Sequence, residues 1–253
     1  MNFNDIVKLE VTPQVINKTV NNTIEKYLYT ILNMGYSRTP VELLDNIFMG
    51  DFAKNLIYKY LAQQSINIED YDEIRTDNFQ NPDNGWDLKV NNLKIEVKSS
   101  AIPKSDIVNN NKLSKNTFQN ILNNRDVKVY AKKCDSCPFI LPDSLESDIF
   151  IQIYFPNAIT YKIGFDNAEE LYREISKDPN NLKSIIKIQK YYNAYYFGYL
   201  TKQDIIDIYN YNTQNNNKST WSFSWTEAVY WKAPLSQAKN LSDLVHYIQR
   251  SDF

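Results

Sequence analysis

Residues 85 to 100 read Gly-Trp-Asp-Leu-Lys-Val-Asn-Asn-Leu-Lys-Ile-Glu-Val-Lys-Ser-Ser, and the alternation on either side of Asn91-Asn92 constrains the fold more than any other stretch of the chain. Alternation with a period of two belongs to a strand with one face buried, and two such runs separated by two residues form a hairpin. Asn tolerates the positive φ that so tight a turn requires. With the turn at Asn91-Asn92, Val90 faces Leu93, Lys89 faces Lys94, Leu88 faces Ile95, Asp87 faces Glu96 and Trp86 faces Val97. One face of the hairpin is then wholly apolar, with Trp86, Leu88, Val90, Leu93, Ile95 and Val97. The other carries Asp87, Lys89, Lys94, Glu96 and Lys98, all charged.

The charged face poses an electrostatic problem. Directly opposed side chains in a sheet have Cβ atoms about 5 Å apart, and two like charges at that distance repel by roughly 3 kcal/mol at an effective dielectric near 20. A divalent cation shared by Asp87 and Glu96 would reverse the sign of that interaction, and hard carboxylate oxygens are what Mg²⁺ prefers. Lys98 lies two residues beyond Glu96 on the same face, about 7 Å along the strand. Its ammonium can therefore reach a water or a phosphate held near those carboxylates.

Around this hairpin the chain reads first as helix, then strand, helix and strand. Thr12-Pro13 opens a helix whose apolar positions include Val15, Ile16, Val20, Ile24 and Leu28. Thr39-Pro40 opens a second, short helix, and Gly50 precedes a third with an apolar stripe of Phe52, Leu56, Ile57, Tyr60 and Leu61. From Tyr71 to Ser100 the period of two predicts strands. Residues 104 to 133 are expected to be partly helical, and Asp148 to Phe155 forms a short apolar strand. Further on, Asp166 with Glu169 and Thr201 with Asp204 resemble helix-start capping pairs around a strand at Tyr195 to Leu200.

The matching pieces, Gly85-Trp86-Asp87 and Ile95-Glu96-Val97-Lys98-Ser99-Ser100, lie on adjacent strands after a helix and before a basic segment and an apolar strand. In this the chain resembles the PD-(D/E)XK, restriction-endonuclease-like nucleases over roughly residues 50 to 156. The resemblance implies an α/β fold with a central mixed β-sheet flanked by helices, and residues 157 to 253 as a C-terminal α+β elaboration for specificity or dimerisation within one nuclease domain. It also implies Mg²⁺ bound by Asp87 and Glu96, with Lys98 orienting or activating the attacking water. Pro82-Asp83 offers a literal Pro-Asp, but the hairpin register favours Asp87 as the ligand. Many family members carry an acidic residue on the preceding helix. Here Asp51 is the candidate, either as an accessory acid or as a helix-start acid complementing the dipole, while Lys54 stands where a glutamate would be unsurprising.

The expected reaction is hydrolysis of double-stranded DNA, in the manner of a type II restriction endonuclease acting as a homodimer on a short site. A repair, junction-resolving or anti-phage nuclease, or a catalytically silent DNA-binding protein of the same fold, stays open as an alternative. With 28 basic and 30 acidic residues the net charge is -2, so any nucleic-acid surface must be local. Such a surface falls between residues 104 and 133, where seven basic side chains meet two acidic ones, a balance of +5. Lys112, Lys115, Arg125 and Lys128 are its candidate phosphate contacts, a solvated helix face being the plainer reading.

Other classes have less to work with. The chain has 5 glycines and no glycine-rich phosphate loop, and His246 is its only histidine, too few for a histidine-based nuclease or a Cys-His hydrolase. Cys134 and Cys137 are expected to be reduced thiols without a zinc or redox role, in keeping with a cytoplasmic protein. No leader or membrane-spanning run is expected. Trp221, Trp225, Tyr230, Trp231 and Lys232 could read or wedge bases, but large aromatics at such spacing predict core packing, and no site role is assigned to them.

Overall fold

The computed structural model describes residues 1–32, 39–77, 79, 85–156, 165–224 and 226–251. A short strand, β1 (Val7–Leu9), leads into two long helices, α1 (Pro13–Leu32) and α2 (Pro40–Gln63), which pack on each other. Next come β2 (Glu69–Asp70), the single-turn α3 (Tyr71–Ile74), and the hairpin strands β3 (Leu88–Val90) and β4 (Leu93–Ala101). The basic segment contains α4 (Lys115–Asn124) and β5 (Tyr130–Lys132), followed by the apolar β6 (Ile149–Phe155). The remainder comprises α5 (Ala168–Lys177), α6 (Pro179–Ile185), β7 (Ala194–Thr201), α7 (Lys202–Gln214), β8 (Thr220–Ser222), β9 (Val229–Trp231) and α8 (Leu241–Arg250).

Six strands form the central mixed sheet in the order β1-β7-β6-β4-β3-β2, and β5-β9-β8 form a second, three-stranded sheet. β6 runs parallel to β4, so the intervening α4 serves as part of a crossover, whereas β3 and β7 are antiparallel to their neighbours. Each face of the central sheet buries its own core. On one side Leu88, Val90, Ile95 and Val97 meet Phe52 and Leu56 of α2, with α1, α5, α6 and α8 completing the layer. On the other, Phe150 and Tyr154 meet Phe118 and Ile121 of α4, Ile205 of α7, and Val129, Ala131 and Trp231 of the small sheet. Helices thus flank both faces, as expected of an α/β protein.

Three local differences from the sequence reading have physical causes. Thr39 and Glu42 cap each other as a helix-start pair, but the helix they open runs unbroken to Gln63 instead of stopping before Gly50. A helical glycine costs only about 1 kcal/mol relative to alanine, and the burial of Met49, Asp51, Phe52 and Ala53 around Gly50 outweighs it. Residues 71 to 74 form a helical turn instead of a strand because the buried Asp70 carboxylate accepts the Asp72 amide and caps it. Asn167, not Asp166, caps α5, its side chain accepting the amides of Glu169 and Glu170.

The stretch after residue 156 is part of the central architecture. β7 is hydrogen-bonded between β6 and β1, and β9 lies between β5 and β8. All seven residues of β6 are buried. Cutting the chain at 156 would therefore leave β6 as an uncovered apolar edge. We expect a 1–156 fragment to aggregate or lack a cooperative melt by circular dichroism and gel filtration. A monomeric fragment with a sharp transition would show that β7 is dispensable.

Candidate active site

The hairpin forms in the expected register, with Leu88 opposite Ile95, Lys89 opposite Lys94 and Val90 opposite Leu93. Asn91 takes the turn at φ 54°. Leu88, Val90, Ile95 and Val97 are buried in the first core, while Asp87, Lys89, Lys94, Glu96 and Lys98 are half-buried on the opposite side. The two outlying lysines are balanced from outside the hairpin, Lys89 by Glu69 at 3.6 Å and Lys94 by Glu146 at 3.3 Å.

The ladder ends one step earlier than the alternation predicts. Beyond Leu88 the chain leaves the strict pairing, and the Asp87 amide donates to the Ile95 carbonyl at 2.8 Å. Gly85, at φ 81°, turns the chain into β3, and the Ser147 hydroxyl donates to its carbonyl at 2.7 Å. A side chain at position 85 would meet Glu146 as well as the unfavourable φ. From the other direction, the Tyr71 amide donates to the Asp87 carbonyl at 3.0 Å, so the first turn of α3 also fixes this residue. Asp87 Oδ2 accepts the Val97 amide at 2.7 Å, which draws the carboxylate across toward β4.

Lys98 gathers the cluster. Its Nζ pairs with Glu96 Oε1, and both side chains are largely covered, 19% and 15% exposed. Burial alone would lower the pKa of the ammonium. The negative charge of Glu96, with a smaller contribution from Asp87, outweighs burial and holds it above its ordinary value. Glu96 and Lys98 are therefore in direct contact, and the lysine charge offsets part of the repulsion expected between the two carboxylates. On the neighbouring strand, Gln152 lies beside Lys98 and is fully buried. Its carbonyl oxygen accepts the Lys128 amide at 3.3 Å, and its amide nitrogen donates to Ser100 Oγ at 3.2 Å and to the Ile153 carbonyl at 3.0 Å.

The remaining candidates divide. Asp51 lies in the middle of α2, so it is not a helix-start acid. It is buried on the helical layer that packs against the apolar side of the hairpin, where its carboxylate pairs with Lys26. Burial raises its pKa despite Lys26 and Lys54 nearby. Lys54, at the position where an acid was unsurprising, is also buried and pairs with Asp70 at 2.7 Å and with Asp72. In the basic segment, Arg125 makes a two-pronged contact with the buried carboxylate of Asp106, at 2.6 and 2.7 Å. Lys128 Nζ donates to the Ser99 carbonyl at 3.3 Å, beside the cluster. Lys115 is exposed at the start of α4 and Lys112 half-exposed before it.

Tyr130 and Gln152 are residues that sequence reasoning missed. Gln152 had a signal, a lone amide in an otherwise apolar strand. Tyr130 had only its place between Val129 and Ala131 in an alternating run. Cys134 and Cys137 depart from expectation, because they form a disulfide: a tight turn, with the Cys137 amide donating to the Cys134 carbonyl at 3.0 Å, brings the thiols together. The cysteines therefore give no support to a cytoplasmic setting. His246 is an exposed residue of α8. Tyr230 and Trp231 are buried, Trp221 is half-buried, and Trp225 and Pro82-Asp83 fall outside the described residues.

Compared with protein-family models, with curated proteins and with solved structures, the chain matches none. Among the described residues no group of three or more histidine, cysteine or acidic side chains is arranged to hold a metal ion, and no helix is long and apolar enough to cross a membrane.

If Lys98 neutralises Glu96 and Asp87, Lys98→Met should lower the unfolding free energy of metal-free protein by about 2 kcal/mol, less than a fully buried pair because some solvent reaches both groups. Adding Glu96→Gln should then restore about 1 kcal/mol by removing one of the stranded charges. Urea unfolding of the four proteins of this cycle measures both. Additive losses would show that the two side chains do not interact.

Proposed function

We propose that this protein is a magnesium-dependent endonuclease of the PD-(D/E)XK type that hydrolyses DNA phosphodiester bonds, with Asp87, Glu96 and Lys98 as its catalytic group. The observation that carries the reading is the ion pair of Lys98 with Glu96 on the polar side of a central hairpin, with Asp87 held to the same strand by the Val97 amide, while the other side of the hairpin is buried and apolar. The order of elements around them, helix, hairpin, a basic segment that contains a helix, and a parallel strand, supports it.

The donor chemistry fits the ion. Mg²⁺ keeps several of its waters and is commonly held by one or two carboxylates plus substrate phosphate oxygens, so a pair of hard donors suffices. Asp87 and Glu96 are the residues that would hold it; when bound, the ion supplies a water of lowered pKa and a Lewis-acid contact to the scissile phosphate. Asp87 is oriented for this by its bond to the Val97 amide, which fixes one carboxylate oxygen. Lys98 is a charged donor on the same face, able to orient the nucleophilic water and to offset negative charge that builds on the phosphorane. The low exposure of Glu96 and Lys98 strengthens both effects, since less solvent screens them.

Lys112, Lys115 and Lys128 are the phosphate-contacting candidates, and Arg125, committed to Asp106, serves better as a support for α4. We favour a type II restriction enzyme, acting as a homodimer on a short site in double-stranded DNA, over a repair, junction-resolving or anti-phage nuclease, whose catalytic group would be the same.

The test is incubation of the purified protein with supercoiled plasmid in Mg²⁺ or in EDTA. Cleavage is expected in Mg²⁺ alone, and Asp87→Asn, Glu96→Gln and Lys98→Ala should each reduce it at least about 100-fold. Discrete fragments identify a restriction enzyme and a smear a nonspecific nuclease. Retained cleavage by Lys98→Ala, or a wild type that binds DNA without cutting, would overturn the proposal, the latter in favour of a silent DNA-binding protein.

A further inference from the structure

Lys98 touches something besides Glu96. Its Nζ stands 4.6 Å from the ring centroid of Tyr130. Behind that ring, Tyr230 stacks on Tyr130 at 4.9 Å and Trp221 stacks on Tyr230 at 4.7 Å, with interplanar angles of 26° and 21°. The three aromatic residues are direct partners across the small sheet, Tyr130 opposite Tyr230 and Tyr230 opposite Trp221. The far end is tied down, because the Trp221 indole donates to the Trp231 carbonyl at 3.2 Å, and Trp231 itself is anchored in the second core with its indole donating to the Ile140 carbonyl at 2.9 Å.

We infer that Tyr130 is a positioning residue that fixes the Lys98 ammonium against Glu96 and Asp87, backed by the column of Tyr230 and Trp221. The inference rests on the nuclease reading for its catalytic consequence. A lysine side chain has four rotatable bonds and, held by a single carboxylate, would sample several positions. An aromatic face attracts the ammonium without offering an acceptor that competes for its protons, so the cation is held while its N–H groups stay directed at oxygen. Tyr130 in turn cannot tilt away, because its opposite face is against Tyr230. Precision matters at this position, since an error of about 1 Å in a group that orients a nucleophile can cost 100-fold in rate.

This arrangement also assigns a role to the small sheet. Two of its three strands come from residues 220 to 231, far along the chain from the hairpin, and their outer row of rings ends on the lysine. The aromatic cluster set aside as core packing divides accordingly: Trp231 faces the core, whereas Tyr230 and Trp221 point to the opposite side of the sheet and form the column.

The experiment reads the contact and its consequence separately. Ring currents shift protons lying over an aromatic face upfield, so in protein with isotope-labelled lysine the Lys98 ε-CH2 signal, assigned by its loss in Lys98→Arg, should stand upfield of the other lysines. The shift should persist in Tyr130→Phe, vanish in Tyr130→Leu and shrink in Trp221→Leu, a half-exposed position that keeps the test available if Tyr130→Leu does not fold. On plasmid DNA in Mg²⁺, Tyr130→Phe should retain wild-type kcat, and Tyr130→Leu should lose about 10- to 100-fold in kcat with KM changed by less than about 3-fold. An unshifted Lys98 signal in the wild type overturns the inference, as does full kcat in Tyr130→Leu. Absence of cleavage by the wild type overturns the nuclease reading, and the holding of Lys98 by Tyr130 is then decided by the NMR signal.

Discussion

Burial of one side of the hairpin governs the other side. Because side chains alternate strictly along a strand, seating Ile95 and Val97 against α2 obliges Glu96 and Lys98 to emerge together on the opposite face, and Asp87, just beyond the end of β3, is drawn toward them by its bond to the Val97 amide. Each buried Leu, Ile or Val contributes on the order of 1.5–3 kcal/mol, an upper bound because unfolded chains are partly collapsed. A slip of one residue would expose all of them and bury the charges. The register that places the charged group is therefore held by a much larger energy than the charged group itself could supply.

The charges so assembled are partly balanced within the protein. Two carboxylates and one ammonium share a half-buried space, and the lysine supplies the compensation that would otherwise be missing. Elsewhere the molecule treats buried charge in the same way. Lys54 and Lys26 lie among Asp51, Asp70 and Asp72 between the helical layer and the start of β2 and α3. That second network borders the site through Asp70, which caps α3, and through the Tyr71 amide, which holds the Asp87 backbone. Asp51, considered as an accessory acid, belongs to this supporting network.

Much of this was legible in the residues because it follows from short-range rules. The hairpin, its turn at Asn91, the apolar strand β6 and the capping pair Thr201 and Asp204 each depend on neighbours within a few positions. What escaped the sequence depends on distant partners. Nothing local shows that Gly50 lies inside a continuous helix, that Arg125 is occupied by Asp106, or that β7 enters the middle of the sheet. Alternation alone predicts Asp87 directly opposite Glu96, but the pairing stops at Leu88, and a backbone amide of β4 orients Asp87 instead. Tyr130 reaches Lys98 only because a sheet formed from three separate segments sets it there.

Under the function proposed above, Asp87 and Glu96 bind a cation, and Lys98 offsets part of their charge when no ion is bound. Calorimetric titration of Mn²⁺ or Mg²⁺ into the wild type, Asp87→Asn, Glu96→Gln and Lys98→Met tests it most directly. One ion should bind per wild-type chain, with affinity at least about 10-fold weaker in each carboxylate variant and tighter in Lys98→Met, where no ammonium competes for the oxygens. Equal binding by all four proteins, or none by any of them, would contradict it.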